Sequence, residues 1–130
     1  MKTDIWRLPV TATAIVSGPE FEVLPKRSCK ISFGIEGKTS GVVIVLLIFS
    51  GVEAFKCTYL TSINAEMFMV AYANLVHLKD SSWLAELEKI NKTGKGTGRE
   101  LKHLIICFDG GPCYEFICES FREEVLEDTI

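Results

Sequence analysis

The residues best suited to chemistry lie close together in the last third of the chain. Two runs of alternating residues, 101–108 and 113–121, flank the turn-forming sequence Asp-Gly-Gly-Pro, which predicts a β-hairpin. A thiol and an imidazole can form a nucleophile–base pair, and both can bind metals. The candidate binding residues of this hairpin are His103, Cys107, Asp109, Cys113, Glu115 and Glu119.

The register of the hairpin decides which of these side chains meet. A three-residue loop over 110–112 would place Asp109 opposite Cys113 and gather the large apolar residues on one face. A slip by one residue would split that face. The pairs expected on the apolar face are Phe108–Tyr114, Ile106–Phe116 and Leu104–Cys118. The pairs expected on the opposite face, which would be at most half buried, are His103–Glu119, Ile105–Ile117 and Cys107–Glu115.

Strand geometry argues against a joint catalytic or metal site in this register. His103 and Cys107 are four residues apart, which separates them by about 13–14 Å along a strand. A nucleophile and its base must approach within about 3 Å, and zinc ligands must lie about 2 Å from one point. The sequence therefore predicts two separate side-chain pairs, with no catalytic residue, no metal and no cofactor.

The cysteines are expected to be reduced and to differ in accessibility. Cys107 and Cys113 would be diagonal neighbours with Cα atoms about 7–8 Å apart, beyond the usual limit for a disulfide. Cys29 and Cys118 share the parity of core residues and should be buried and inert. Cys113 follows the turn and should be the most reactive thiol. A redox switch formed by Cys107 and Cys113 is the alternative.

The first half of the chain predicts strands. Apolar and polar residues alternate over most of it, and one run is apolar on both parities, which is typical of a central strand. Ser50-Gly51 has the form of a two-residue hairpin turn between the third strand and the fourth. The four predicted strands are 6–16, 28–36, 42–49 and 52–60.

Two helices are expected between these strands and the hairpin. The apolar spacing becomes helical over 63–78, and a second helix should run from the capping residues 80–82 to Gly94. The acidic end, 122–130, could fray. We therefore expect a single α+β domain over residues 1–130, with a largely antiparallel sheet of about six strands. Its order is four strands, two helices and the two-stranded C-terminal hairpin.

Such a sheet would leave one apolar face uncovered. Six strands make a sheet about 29 Å wide, whereas two helices, each about 10 Å across, cover only one side of it. Residues 42–49 would present apolar side chains on the other side. A homodimer formed through this face is the favoured prediction, and a curled sheet with a second core of its own is the alternative.

Composition and charge exclude several classes of protein. The net charge of −3 and the scattered basic residues argue against a nucleic-acid partner. The apolar run at 42–49 is far shorter than the roughly 20 residues that span a membrane. The first residues lack the apolar run of a secretory signal, which predicts a cytoplasmic protein. The Gly-rich loop at 93–98 lacks the residue order of a phosphate-binding loop.

Segments 51–59 and 107–118 resemble parts of small, uncharacterised bacterial proteins that have no assigned function. The resemblance implies no activity, and some small α+β proteins of this kind are immunity proteins for secreted toxins. Three hypotheses follow. The first is a non-enzymatic binding or protein-interaction domain. The second is a thiol-dependent enzyme or redox protein that uses the hairpin cysteines, and the third is an immunity protein with a protein partner.

Overall fold

The computed structural model describes residues 2–10, 14–37, 41–59, 65–93, 100–109 and 111–127. Nine strands and two helices lie within these ranges. In chain order they are β1 (Lys2–Arg7), β2 (Ile15–Leu24), β3 (Ser28–Glu36), β4 (Val42–Ser50), β5 (Ala54–Thr58), α1 (Ala65–Ala71), β6 (Asn74–Leu78), α2 (Ser82–Thr93), β7 (Lys102–Cys107), β8 (Cys113–Cys118) and β9 (Ser120–Glu127).

The strands form two sheets, in which every pair of neighbouring strands is antiparallel. Sheet 1 has the order β1-β6-β7-β8-β5, and sheet 2 has the order β2-β3-β4-β9. The predicted α+β class and the antiparallel pairing are therefore confirmed. The predicted single sheet of about six strands is corrected to nine strands in two sheets. Residues 74–78 and 120–127 also form strands, and the strand expected over 6–16 is two strands in different sheets.

The main core lies between the two sheets. Residues of alternate parity on β3 and β4 point toward sheet 1, as the period of two in a strand requires. Phe49 of β4 stacks on Phe116 of β8, with ring centroids 3.9 Å apart. The largest fully buried side chains of this core are Phe33, Phe49, Phe108, Phe116, Ile31, Leu47, Leu75, Leu104 and Ile106.

A second, smaller core lies on the other side of sheet 1, beneath α1. Ala71 packs there against Val76 and Ile105, with Met67 and Phe68 at the margin. All of β8 and most of β7 are consequently buried on both faces. The expectation that the second face of the hairpin is at most half buried is wrong, because α1 and α2 cover it.

Residues 63–78 do not form one helix. The helix α1 ends at Ala71, Ala73 has a φ of 57°, and Asn74–Leu78 form β6 between β1 and β7. Leu75 and Val76 point to opposite faces, and both are fully buried. A short segment that is apolar on both faces fits a central strand as well as a helix, so its spacing alone could not decide. Residues 60–64 lie outside the described residues.

Three other predicted segments differ from the structure. The strand expected over 6–16 is divided, because β1 ends at Arg7 and β2 begins at Ile15 in the other sheet, with Pro9 between them. Ser50 and Gly51 do not join a hairpin, since β4 and β5 belong to different sheets. The chain over 120–127 does not fray but pairs with β4 as β9. Residues 11–13 and 128–130 lie outside the described residues.

Candidate functional site

The hairpin has the predicted faces but a register shifted by two residues. Its turn closes where the Phe108 N–H donates to the Pro112 carbonyl (3.3 Å) and the Gly111 N–H donates to the Phe108 carbonyl (3.2 Å). Pro112 can accept but cannot donate, which suits the last position before a strand. The pairs are Cys107–Cys113, Ile106–Tyr114, Ile105–Glu115, Leu104–Phe116, His103–Ile117 and Lys102–Cys118. Since the shift is even, each side chain keeps its face.

The shift changes the partner of His103. Its Nε2 lies 2.9 Å from Glu115 Oε1, on the diagonal across the two strands. The predicted His103–Glu119 and Cys107–Glu115 pairs are therefore wrong. Both members of the observed pair are buried, with 5% of His103 and 8% of Glu115 exposed. A histidine and a carboxylate that were expected on a solvated surface thus meet beneath the helices.

Ser81 extends this pair to a chain of three groups. Its Oγ lies 2.6 Å from Nδ1 of His103 and accepts a hydrogen bond from the Leu84 N–H (3.0 Å). Ser81 is thus the N-cap of α2, the role expected for one of residues 80–82. Because Oγ already accepts the Leu84 N–H, its own hydrogen is available to His103 Nδ1. In that tautomer the His103 Nε2–H donates to the Glu115 carboxylate.

The turn before α2 places Ser81. The strand β6 ends at Leu78, and Asp80 has a φ of 61°, a left-handed conformation that Asp tolerates better than most residues. The chain thereby passes from strand to helix within three residues. The backbone N–H groups of the first helical turn have no acceptor within a helix, so this end of α2 offers hydrogen-bond donors beside the Ser81 hydroxyl.

These three groups border a cavity of about 570 Å³, between α1, the start of α2 and the hairpin. Met67, Val70 and Leu78 supply apolar walls. The Trp83 ring stands edge-on to the His103 ring, with centroids 5.2 Å apart and planes at 82°. Lys56 places Nζ 4.1 Å from the centre of the Trp83 ring. The cavity therefore combines apolar walls with an imidazole and with two hydroxyls, two carboxylates and two ammonium groups, which belong to Ser81, Ser82, Asp80, Glu115, Lys56 and Lys79.

The hairpin cysteines lie apart from this cavity, in the core beneath α1. Cys107 and Cys113 are directly opposite, with Cα atoms 4.0 Å apart, and are joined by a disulfide. The expectation that the two cysteines are diagonal, too far apart for a disulfide and reduced is wrong. It followed from the predicted register, which differs from the observed one by two residues. Cys113 is fully buried, so the expectation that it is an accessible, reactive thiol is also wrong. Cys29 and Cys118 are buried, as predicted.

The last two predicted site residues are remote from the cavity and from each other. Asp109 is exposed at the hairpin turn and accepts a hydrogen bond from the Tyr72 hydroxyl (2.8 Å), which raises the pKa of Tyr72. Glu119 is exposed at the far end of β8, where its N–H donates to the Ser50 carbonyl (3.0 Å). Of the six predicted residues, the structure brings only His103 and Glu115 to the cavity.

The residues that complete the site were not predicted as functional from the sequence. Ser81 was expected only as a helix cap, and Lys56 and Trp83 come from elements distant in sequence. Among the described residues, no group of three or more His, Cys, Asp and Glu could hold a metal ion. In the described part of the chain, no helix is long and apolar enough to cross a membrane. No family model, curated protein or solved structure matches the chain.

Proposed function

We propose that this protein is a small binding domain whose ligand occupies the cavity beside Ser81. The supporting observation is the buried His103–Glu115 pair at the edge of a cavity of about 570 Å³. Ligand sites are usually clefts of roughly 300–1,000 Å³ with apolar walls and a few converging polar groups. The ligand that suits these walls is a small molecule with an apolar body and a carboxylate or other carbonyl head.

The energetics of the buried pair favour a functional origin. Replacing a buried polar pair with apolar residues of similar volume is often neutral or stabilising. Ile105 and Ile117 lie on the same face of the same two strands, so the hairpin accommodates apolar side chains there. A buried histidine and glutamate at this position therefore make the fold less stable than two further aliphatic residues would. Recognition of a ligand would offset that cost.

The walls indicate how the ligand would lie. Its apolar body would contact Met67, Val70 and Leu78, where burial contributes about 25 cal/mol per Å² of apolar surface. Its carbonyl head would lie at the start of α2, near Ser81 and Lys56, because helix N-termini and ammonium groups both favour negative charge. Medium-chain carboxylates such as octanoate have this chemistry.

Octanoate titration followed by Trp83 fluorescence tests the proposal. The background variant is Trp6→Phe, which leaves Trp83 as the fluorophore of the described chain. We expect a saturable change in emission. Val70→Phe should fill the cavity and weaken binding at least about tenfold, or about 1.4 kcal/mol. Met69→Phe is the matched control, because Met69 neighbours Val70 on α1 and is 79% exposed. No saturable change, or equal losses in both variants, would reject the proposal.

A redox function is the second candidate, because Cys107 and Cys113 form a disulfide in the structure. In this proposal a dithiol reductant opens the bond by thiol–disulfide exchange, and reoxidation closes it. The buried position requires α1 to move before a reductant can reach either sulfur. Equilibration in dithiol buffers, followed by alkylation and mass spectrometry, would measure the reduction. A pair that stays oxidised until the protein unfolds would exclude a redox role in the native state.

Homodimerisation, an immunity-type protein partner and a cytoplasmic location stay predictions. The dimer was inferred from the apolar sheet face that two helices would leave uncovered. In the structure, the inner face of β4 packs against sheet 1. The outer face still carries the partly exposed residues Ile44 and Leu46. Light scattering at micromolar concentration tests the dimer, and a strict monomer would reject it.

A further inference from the structure

We propose that Ser81 is a nucleophile, activated by His103, and that the cavity hydrolyses carboxylic esters. This inference rests on the proposed function, because the ester would occupy the cavity described above. It adds a reaction to what would otherwise be a binding site.

The hydrogen-bond chain has the connectivity of a nucleophile, a base and an orienting carboxylate. Ser81 Oγ lies 2.6 Å from Nδ1 of His103, and Nε2 of the same ring lies 2.9 Å from Glu115 Oε1. Both distances are within the range that proton transfer and orientation require. The carboxylate faces Nε2 and the hydroxyl faces Nδ1. Either nitrogen of an imidazole can accept a proton while the other is hydrogen-bonded. Nδ1 can therefore act as the general base for Ser81 while Nε2 stays hydrogen-bonded to Glu115.

The backbone around Ser81 provides a second requirement, donors for a developing oxyanion. A serine nucleophile on a strand-to-helix turn places its hydroxyl next to the free N–H groups of the helix start. Here β6 leads through Asp80, with its φ of 61°, to Ser81 at the N-cap of α2. The N–H groups of Ser82 and Trp83 begin the helix and are the expected donors.

The reaction needs only the ester and one water molecule besides the protein's own groups. The Ser81 hydroxyl proton passes to His103 Nδ1 as Oγ forms a bond to the ester carbonyl carbon. The tetrahedral intermediate then collapses, the bond to the leaving alkoxide breaks, and His103 returns the proton to that oxygen. Water next attacks the acyl group on Ser81, again losing its proton to His103. The second tetrahedral intermediate collapses, the bond between the acyl carbon and Ser81 Oγ breaks, and His103 returns the proton to Oγ as the carboxylic acid leaves. Glu115 is a positioning residue, since it acts through His103.

A purely structural cap would not need this arrangement. An N-cap serine requires only that its oxygen accept a backbone N–H, which Leu84 provides. The additional bond to His103 and the position at the cavity wall are not part of capping. Ser82, the next residue, also lines the cavity and is exposed, so it serves as an internal comparison.

A fluorophosphonate reagent tests for an activated serine, because Oγ attacks phosphorus and expels fluoride. Peptide mapping should locate the adduct on Ser81. Ser81→Asn keeps a capping acceptor but has no nucleophile, so it should abolish labelling. Ser120→Ala is the matched control, because Ser120 is an exposed serine of β9 that does not line the cavity, and it should label at the wild-type rate. His103→Gln, checked for folding by circular dichroism, should slow labelling by about 100-fold or more.

Hydrolysis of p-nitrophenyl butyrate tests the reaction itself. Ser81→Asn should remove the activity above background, and Ser120→Ala should retain it. For Glu115→Gln we expect a lower kcat with KM unchanged, since the side chain would orient the base and not contact the ester. If Glu115→Gln only reduced the amount of folded protein, the KM and the rate per folded molecule would both equal the wild-type values. That result would reject the positioning role.

The outcomes separate this inference from the proposed function. Saturable octanoate binding without labelling of Ser81 would overturn the inference and leave the binding proposal intact. Labelling that falls on Ser82 or another residue would overturn it as well. Labelling at Ser81 without octanoate binding would support the nucleophile and reject the carboxylate as the ligand head. The absence of both signals would reject both.

Discussion

The environments of the three free cysteines are different enough to set an order of reactivity. Burial raises the pKa of Cys118 to about 12 and also raises that of Cys29, so neither is a thiolate near neutral pH. Burial raises the pKa of Cys57 too, but this side chain is exposed on β5. Exposure therefore decides which thiol reacts first.

We expect Cys57 to be alkylated first when the native protein meets iodoacetamide at pH 8. Cys29 and Cys118 should react only after unfolding, because thiolates form above a raised pKa and a reagent cannot reach buried sulfur. Mass spectrometry of timed samples measures the order, and Cys57→Ser should remove the fast phase. Fast labelling of Cys118 in the native state would contradict the assignment of its face to the main core.

The buried His103–Glu115 pair should matter more for stability than an exposed ion pair. Glu115→Ala removes one partner from a site that is 8% exposed, which should lower the free energy of unfolding by about 3 kcal/mol. Glu124→Ala is the control, because Glu124 pairs with Arg122 at 3.5 Å on an exposed strand, where such pairs are worth about 0–1 kcal/mol. Urea unfolding compares them, and similar losses would contradict the difference.

At the residue scale, the sequence predicted two of the three hydrogen-bonded groups of the site. His103 and Glu115 were identified by type and face, since an even shift in register preserves both. Their contact was missed because the predicted register placed His103 opposite Glu119. The observed register, shifted by two residues, places His103 opposite Ile117 and therefore diagonal to Glu115. Ser81 was missed because capping explains a serine before a helix completely, and nothing in sequence spacing indicates that residue 103 approaches residue 81.

At the scale of elements, the hairpin is held to sheet 2 by aromatic contacts. Phe116→Ala should lower the free energy of unfolding by about 3–5 kcal/mol, since it removes the ring that stacks on Phe49. Phe55→Ala is the control on the neighbouring strand, because Phe55 is 43% exposed and should cost about 1 kcal/mol. A denaturant series measures both, and equal losses would contradict the packing described here.

The start of α2 depends on Ser81. Ser81→Ala should lower the free energy of unfolding by about 1 kcal/mol, because the Leu84 N–H loses its acceptor. Ser81→Asn should recover most of that loss, and Ser82→Ala should change stability by less than about 0.5 kcal/mol. Thermal unfolding of the four proteins gives the comparison. A loss in Ser81→Asn as large as that in Ser81→Ala would show that the contact with His103, and not capping, dominates.

Elements with a clear period were predicted, and those with an ambiguous one were not. The alternation in β3 and the capped start of α2 agree with the structure. The strand β6 was missed because it has only five residues, and its adjacent apolar residues Leu75 and Val76 fit either period. The strand β9 was missed because its charges suggest a solvated tail, although an edge strand with one face in water has the same composition.

For the whole molecule, the disulfide is a measurable contribution to stability. Cys107 and Cys113 are six residues apart, and closing so short a loop restricts the unfolded chain by about 2 kcal/mol. We expect urea unfolding with and without a reductant to differ by that amount. The double variant Cys107→Ser and Cys113→Ser is the control that should ignore the reductant. An effect of the reductant on that variant would point to a different cause.

The division into two open sheets leaves four edge strands, and each has a feature that discourages pairing with another chain. The register of β1 shifts between Asp4 and Trp6, and β2 has two such irregularities and Pro19. The strand β5 has only five residues, with Lys56 at its centre, and β9 contains Arg122, Glu123 and Glu124 in succession. Irregular, short or charged edges resist fibril-like growth. Copies of this protein should therefore tolerate crowding without adding strand to strand, so that an assembly would have to form through faces.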